Sequence, residues 1–194
     1  MVENNHPRLY LIRHARPSAG WGGESDDPGL DDLGVTQARS AAETLAALPE
    51  DRRPLAIVSS PMRRCLETAR PFADAMGLSV EIDPLVGEIP TPAALAPSDR
   101  PSWLSGAMNG RWSEVRGDLD YDAWRLAVAQ AVGRRARTAI FSHFVAINAV
   151  VSLVTRSDAV IAFRPGHASI TTLAAEPEGL RLISLGAEAT TSVL

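Results

Sequence analysis

The 194-residue sequence contains no lysine, so all 19 of its basic residues are arginine. A Walker-type phosphate loop and Schiff-base chemistry both need a lysine, and both are therefore excluded. The sequence has a single cysteine, Cys65, which excludes an internal disulfide and a cysteine-based zinc cluster. These absences remove several common routes to phosphate binding and covalent catalysis.

The charge and hydropathy patterns also exclude several classes of partner. The formal net charge is -4, so we expect no attraction to nucleic acid or to an anionic membrane. The first residues are polar and lack the apolar core of a signal peptide. The most apolar stretch, 139–155, is interrupted by Ser142, His143 and Asn148 and is too short to span a bilayer. We therefore expect a soluble, cytoplasmic protein without a nucleic-acid or membrane partner.

Strand and helix patterns alternate along the chain. Short apolar runs at 9–12, 55–58, 78–82 and 138–141 predict strands, and amphipathic segments between them predict helices. Two final strands, 170–174 and 180–185, are joined by a turn and predict an antiparallel hairpin at one edge. We predict an α/β fold of a single domain over residues 1–194. It is a three-layer α/β/α sandwich with a mainly parallel, mixed sheet.

The helix boundaries carry recognisable signals. Asp31 or Asp32 can cap the first helix, whose buried face is predicted to include Val35. Ser59 or Ser60 could cap a second helix that begins near Pro61 and ends at Gly77.

Between residues 84 and 118 the helical and strand periodicity disappears, and prolines are frequent. A loop of this length inside a compact domain is usually functional. We interpret 84–118 as a lid or substrate-specificity insertion. Trp21, in an earlier loop, is a further candidate for contact with an apolar or ring-bearing substrate.

Four candidate groups follow the carboxyl ends of four predicted strands. Arg13 and His14 follow the first strand, Arg64 the second, Glu88 the third and His143 the fourth. Taken singly, each has an ordinary structural explanation as a surface or core residue. Because the carboxyl ends of parallel strands share one edge of a sheet, we expect these side chains to meet there.

This set of residues suits phosphoryl transfer through a covalent phosphohistidine. A neutral imidazole such as that of His14 is a competent nucleophile near pH 7. Arg13 and Arg64 offer donor forks that match phosphate, and His143 and the backbone of Phe144 can donate to the same oxygens. Glu88 would protonate the leaving alkoxide and then activate water. The arginines neutralise the charge, so we expect no metal and no cofactor.

Several of these segments resemble motifs of the histidine phosphatase superfamily, also called the phosphoglycerate-mutase-like family. The resemblance rests on LIRHA at 11–15, SSPMRRCLETA at 59–69, LVGE at 85–88 and FSHF at 141–144. DPGL at 27–30, LGVTQA at 33–38 and HASIT at 167–171 are also similar. The resemblance implies the same fold and a phosphatase activity, with His14, Arg13, Arg64, Glu88 and His143 as the catalytic residues.

The chain also departs from the family pattern. Ala15 replaces the glycine of the Arg-His-Gly signature, and Phe144 replaces the glycine after the second histidine. Mutases of the family commonly have an asparagine shortly after the first motif, where this chain has Arg16, Pro17 and Ser18. We include Arg16 among the candidates for substrate binding. After Glu88, IPTP at 89–92 replaces the Gly-Trp-Glu-Gly-like continuation of the family.

We predict a metal-independent phosphomonoester hydrolase acting on a small-molecule phosphate. The alternatives are a phosphohistidine or phosphoprotein phosphatase, a mutase, or a phosphate-binding domain without catalysis. His6, His167 and Cys65 are not assigned functional roles, although His167 could line the pocket. The apolar edge hairpin leaves a homodimer open.

Overall fold

The computed structural model describes residues 6–19 and 27–189. Within these residues the strands are β1 (Arg8–Arg13), β2 (Ala56–Ser59), β3 (Val80–Ile82), β4 (Thr138–Ser142), β5 (Ile170–Glu176) and β6 (Gly179–Ser184). The α-helices are α1 (Asp32–Ala46), α2 (Arg63–Met76), α3 (Arg100–Met108), α4 (Tyr121–Gly133) and α5 (Phe144–Val154). None of the described helices is long and apolar enough to cross a membrane.

The six strands form one mixed sheet in the order β3-β2-β4-β1-β5-β6. The first four strands in this order are parallel to one another. β5 runs antiparallel to β1, and β6 runs antiparallel to β5. The predicted α/β architecture, with an antiparallel hairpin at one edge, is therefore confirmed.

Successive side chains of β1 enter two different cores, as the two-residue period of a strand requires. Leu9 and Leu11 pack with residues of α4 and α5 on one face of the sheet. Tyr10 and Ile12 pack with residues of α1 and α2 on the other face. Helices therefore cover both faces, which confirms the predicted three layers.

The start of α1 agrees with its sequence signals in one respect and differs in another. The Asp31 carboxylate accepts a hydrogen bond from the Gly34 backbone N–H, so Asp31 is the cap. Val35, predicted on the buried face, is 39% exposed. The buried stripe runs instead through Gly34 and Ala38, because the first turn packs directly against the backbone of Arg16.

The predicted serine cap of α2 is wrong. The helix begins at Arg63, and its N-cap, Met62, makes no side-chain hydrogen bond. The hydroxyl of Ser60 lies instead 2.8 Å from Nε2 of His143. The same oxygen accepts the Met62 backbone N–H at 3.4 Å, just before the helix, so it has a local and a distant partner but caps no N–H within the helix. The predicted end at Gly77 is confirmed, with a left-handed φ of 64°.

The interpretation of 84–118 as a loop without regular structure is also wrong, because the segment contains α3 and three short 3-10 turns. Pro101 lies in the first turn of α3, where a missing N–H costs no helical hydrogen bond. Leu104 and Trp112 of this segment are buried in the core that α4 and α5 share. The Trp112 indole N–H donates to Ser152 in α5 at 3.0 Å. These contacts fasten the segment to the domain.

Candidate active site

The ends of β1 and β4 bring two histidines together at one edge of the sheet. β1 ends at Arg13 and β4 at Ser142, so His14 and His143 each follow a strand directly. The backbone N–H of His14 donates to the carbonyl oxygen of Ser142 at 2.9 Å. The centroids of the two imidazole rings are 5.3 Å apart. The parallel pairing of β1 with β4 thus places both rings side by side at this edge of the sheet.

The His14 side chain is held in one tautomer. Its Nδ1 lies 2.9 Å from the carbonyl oxygen of Ala15, which can only accept a hydrogen bond. Nδ1 therefore carries the proton, and Nε2 keeps its lone pair. Burial, followed by the nearby His143, Arg13 and Arg64, holds the pKa of His14 well below its ordinary value. The imidazole is neutral at pH 7, as a nucleophile needs to be.

Arg13 is anchored on one side of this imidazole. Its Nη1 donates to the carbonyl oxygen of Pro165 at 2.9 Å, and its guanidinium lies 5.0 Å above the ring centroid of Phe144. Burial lowers the pKa of Arg13 to about 10, with Glu88 acting against this shift and Arg64 adding to it. Arg13 is a buried cation with a fixed orientation, which favours an anionic ligand.

Arg64 extends from the first turn of α2 toward His143. Its Nη2 donates to Nδ1 of His143 across 3.3 Å. Its carbonyl oxygen accepts the hydroxyl of Thr68, and that hydroxyl accepts the backbone N–H of Ala15 at 2.9 Å. Thr68 therefore couples the start of α2 to the loop that carries His14. This contact joins residues 53 positions apart and has no local sequence signal.

Glu88 lies against the amino terminus of α5. Its Oε1 accepts backbone hydrogen bonds from Ile89 at 3.0 Å and from Val145 at 3.2 Å. The Ser142 hydroxyl donates to the carbonyl oxygen of Val86 at 2.7 Å and fastens this segment to the end of β4. Burial raises the pKa of Glu88, against the opposing effect of its backbone donors and of the two arginines. The raised pKa favours the protonated carboxyl.

The remaining predicted residues lie in different surroundings. The Phe144 side chain is buried and carries Arg13 on its ring face. Arg16 has 48% of its side chain exposed and pairs with Asp31 at 2.6 Å. Trp21 lies outside the described residues. The structure therefore brings Arg13, His14, Arg64, Glu88, His143 and Phe144 together, with Arg16 nearer to solvent.

His167, for which the sequence offers no reason to assign a role, lies beside His14. Its ring centroid is 5.7 Å from that of His14. Burial lowers the pKa of His167 to about 4, and Arg13 and Arg16 add to the shift. Ala168 adopts a left-handed φ of 56°, and its N–H donates to the carbonyl oxygen of Arg13 at 3.0 Å.

The available signal for His167 was topological. Because β5 is antiparallel to β1, it begins at the edge where β1 ends.

Among the described residues, no group of three or more histidine, cysteine, aspartate or glutamate side chains could hold a metal ion.

The family profile and the curated relatives that match this chain are all named for phosphatases. The family profile of the histidine phosphatase superfamily (branch 1) matches residues 9–92. A glucosyl-3-phosphoglycerate phosphatase of Mycolicibacterium vanbaalenii is 36% identical over 129 residues, which cover 59% of this chain and 54% of that protein. The alignment thus spans about half the length of this curated relative.

Solved structures match over nearly the whole chain. A mycobacterial glucosyl-3-phosphoglycerate phosphatase in complex with inorganic phosphate superposes with a TM-score of 0.67 and 27% identity, over 96% of this chain and 100% of that one. A phosphoserine phosphatase of Entamoeba histolytica in complex with 3-phosphoglyceric acid has a TM-score of 0.70 and 21% identity, covering 93% of this chain and 96% of that one. At 21% identity, the likeness to the phosphoserine phosphatase shows a shared fold and no more.

Proposed function

The chain belongs to the histidine phosphatase superfamily, and from this premise we propose that it hydrolyses phosphate monoesters through a phosphohistidine on His14. One observation carries the proposal. The hydrogen bond from Nδ1 of His14 to the Ala15 carbonyl leaves the Nε2 lone pair free beside Arg13, Arg64 and His143. An unprotonated imidazole nitrogen among cations is suited to attack a bound phosphoryl dianion.

In the first step, Nε2 of His14 attacks phosphorus. A P–N bond forms as the P–O bond to the leaving alcohol breaks. Arg13 and Arg64 hold the phosphoryl oxygens, where charge is concentrated; both guanidiniums are buried, and Arg13 is anchored by the Pro165 carbonyl. Glu88, whose pKa is raised by burial, gives its proton to the departing alkoxide.

In the second step, the Glu88 carboxylate takes a proton from a water molecule that attacks the phosphohistidine. The P–N bond breaks, phosphate leaves, and both His14 and Glu88 return to their initial protonation states. The two backbone donors on Oε1 of Glu88 keep that oxygen in place in both states. We assign the proton to the other oxygen of the carboxyl.

We propose a small-molecule phosphate ester as the substrate. The curated relatives are named glucosyl-3-phosphoglycerate phosphatases, which makes a glycosylated phosphoglycerate the first ester to test. We also propose that 84–118 contributes to specificity, since Glu88 belongs to it and α3 extends it along the core. Arg16, at the exposed side of the site, is the candidate for contact with the leaving group.

The first experiment measures hydrolysis of p-nitrophenyl phosphate with a chelator present. His14→Asn should abolish turnover, and Glu88→Gln should lower kcat by about 10²–10⁴-fold, as expected for loss of a general acid. His6→Asn, ahead of β1, and Glu43→Gln, on the exposed side of α1, remove the same side-chain types and should leave turnover unchanged. Alkaline quenching of the wild type should trap a phosphoryl group on His14.

Other outcomes would favour one of the alternative functions. Phosphorylation of an added acceptor alcohol would indicate a mutase, and activity on phosphohistidine peptides alone would indicate a protein phosphatase. Phosphate binding without turnover of any ester would favour a domain that binds without catalysis. Turnover that survives His14→Asn would refute the proposed nucleophile.

A further inference from the structure

His143 is fully buried, and both of its ring nitrogens have partners. Nδ1 lies 3.3 Å from Nη2 of Arg64, and Nε2 lies 2.8 Å from the hydroxyl oxygen of Ser60. Ser60 is itself buried, in the connection between β2 and α2. The Ser60 hydroxyl therefore contacts the ring nitrogen that Arg64 does not contact.

The contacts with Arg64 and Ser60 together set the tautomer of the resting imidazole. A guanidinium has donors only, so Nδ1 must accept and carries the lone pair. A neutral imidazole has one proton, which must then be on Nε2 and is donated to the Ser60 oxygen. Cys65 lies 3.4 Å from the same nitrogen but directs its thiol to the Ser142 carbonyl. Ser60 is thus the strong acceptor for Nε2–H.

We propose that Ser60 is a positioning residue that holds His143 with Nε2–H inward and the Nδ1 lone pair toward the phosphate pocket, so that His143 takes up the proton of an incoming monoanionic phosphate. This inference rests on the proposed function. The proton passes from the phosphate oxygen to Nδ1, the phosphate becomes a dianion, and Arg64 turns from Nδ1 to the phosphate oxygens. The resulting imidazolium donates to phosphate through Nδ1 and to Ser60 through Nε2.

The charges around His143 make this uptake conditional on the ligand. Burial, Arg64 and Arg13 all hold the pKa of His143 well below its ordinary value, so the resting ring is neutral. A bound dianion offsets both arginines at short range and favours the charged ring. Ser60 supplies the second acceptor that an imidazolium needs in a buried site. His143 then becomes a charged donor only while a phosphoryl group is present.

Nitrogen-15 NMR of the histidine rings tests this directly, because the sequence contains four histidines and variants can assign them. In the free wild type we expect a proton on Nε2 of His143 and none on Nδ1. With saturating inorganic phosphate we expect protons on both nitrogens. In Ser60→Ala the free enzyme should show a mixture of tautomers, and kcat/KM for p-nitrophenyl phosphate should fall about tenfold, the effect of one hydrogen bond.

Ser59→Ala is the matched control. Ser59 is equally buried, and its hydroxyl bonds to the Ser60 carbonyl rather than to the ring. It should leave the His143 tautomer unchanged.

The inference is overturned by a proton on Nδ1 in the free wild type, or by a singly protonated ring in the phosphate complex. It is also overturned if Ser60→Ala alters neither tautomer nor kcat/KM. If such results come from an enzyme that hydrolyses esters, the phosphatase assignment stands and the role of Ser60 fails. If the wild type neither binds phosphate nor hydrolyses esters, both fail. The wild-type spectra remain decisive if Ser60→Ala does not fold.

Discussion

The His167 imidazole should make folding stability fall on acidification, and His167→Asn should remove part of that fall. Burial and neighbouring cations lower the pKa of His167 from 6.5 to about 4 in the folded chain. Between these values the unfolded chain binds a proton that the folded chain does not. Stability therefore decreases as pH falls through 6.5, and the loss from this group is complete below pH 4.

The size of the effect follows from linkage. Each pKa unit corresponds to about 1.36 kcal/mol, and pH 5 lies about one and a half units below the unfolded pKa. Without solvent screening, the His167 shift would lower the free energy of unfolding by about 2 kcal/mol between pH 7 and pH 5. His167 is only partly buried, so solvent screening reduces the expected difference to about 1–2 kcal/mol.

Urea unfolding of the wild type and His167→Asn at pH 7 and pH 5 gives the required difference. Other titrating groups, including His14 and His143 with the same sign, occur in both proteins and cancel to first order. The free energy of unfolding of the variant should fall by about 1–2 kcal/mol less than that of the wild type. His167→Gln should reproduce the result. Equal falls in wild type and both variants would refute the placement of a neutral His167 beside the site cations.

Three further substitutions test how the loop after β1 is held, each by urea or thermal unfolding. Gly34→Ala should cost on the order of 1–3 kcal/mol, because an added Cβ would lie 2.1 Å from the carbonyl oxygen of Arg16; unchanged stability would contradict this packing. Asp31→Ala should lower the free energy of unfolding by removing the cap of α1 and the ion pair with Arg16, and a larger loss at pH 7 than at pH 3 would show that the carboxylate is responsible. Thr68→Val should cost about 1–3 kcal/mol because the Ala15 N–H loses its acceptor, whereas Thr68→Ser should keep most of the stability.

Much of the architecture could be predicted because it depends on local periodicity. The apolar run of β1 and the cap at Asp31 each depend on residues within a few positions of one another. Parallel strands share an edge, so His14 and His143 could be expected to meet without knowing any side-chain contact.

The errors occurred where a distant partner changed the role of a residue. Ser60 was expected to cap a helix, and its hydroxyl instead contacts His143, 83 positions away. Val35 was expected to be buried, but the packing of Gly34 on Arg16 rotates the buried stripe of α1. The helix α3 was missed because the frequent prolines of segment 84–118 suggest a loop, although Pro101 occupies a first-turn position that tolerates it.

The sequence by itself determined the alternation of strands and helices, the candidate residues for the proposed chemistry and the sheet edge at which they lie. Only the tertiary structure decided their protonation and orientation. The Ala15 carbonyl sets the tautomer of His14, Ser60 and Arg64 set that of His143, and the backbone N–H of Val145 holds Glu88. Hydrogen bonds of this kind depend on distances of about 3 Å between groups remote in sequence, and periodicity contains no information about such distances.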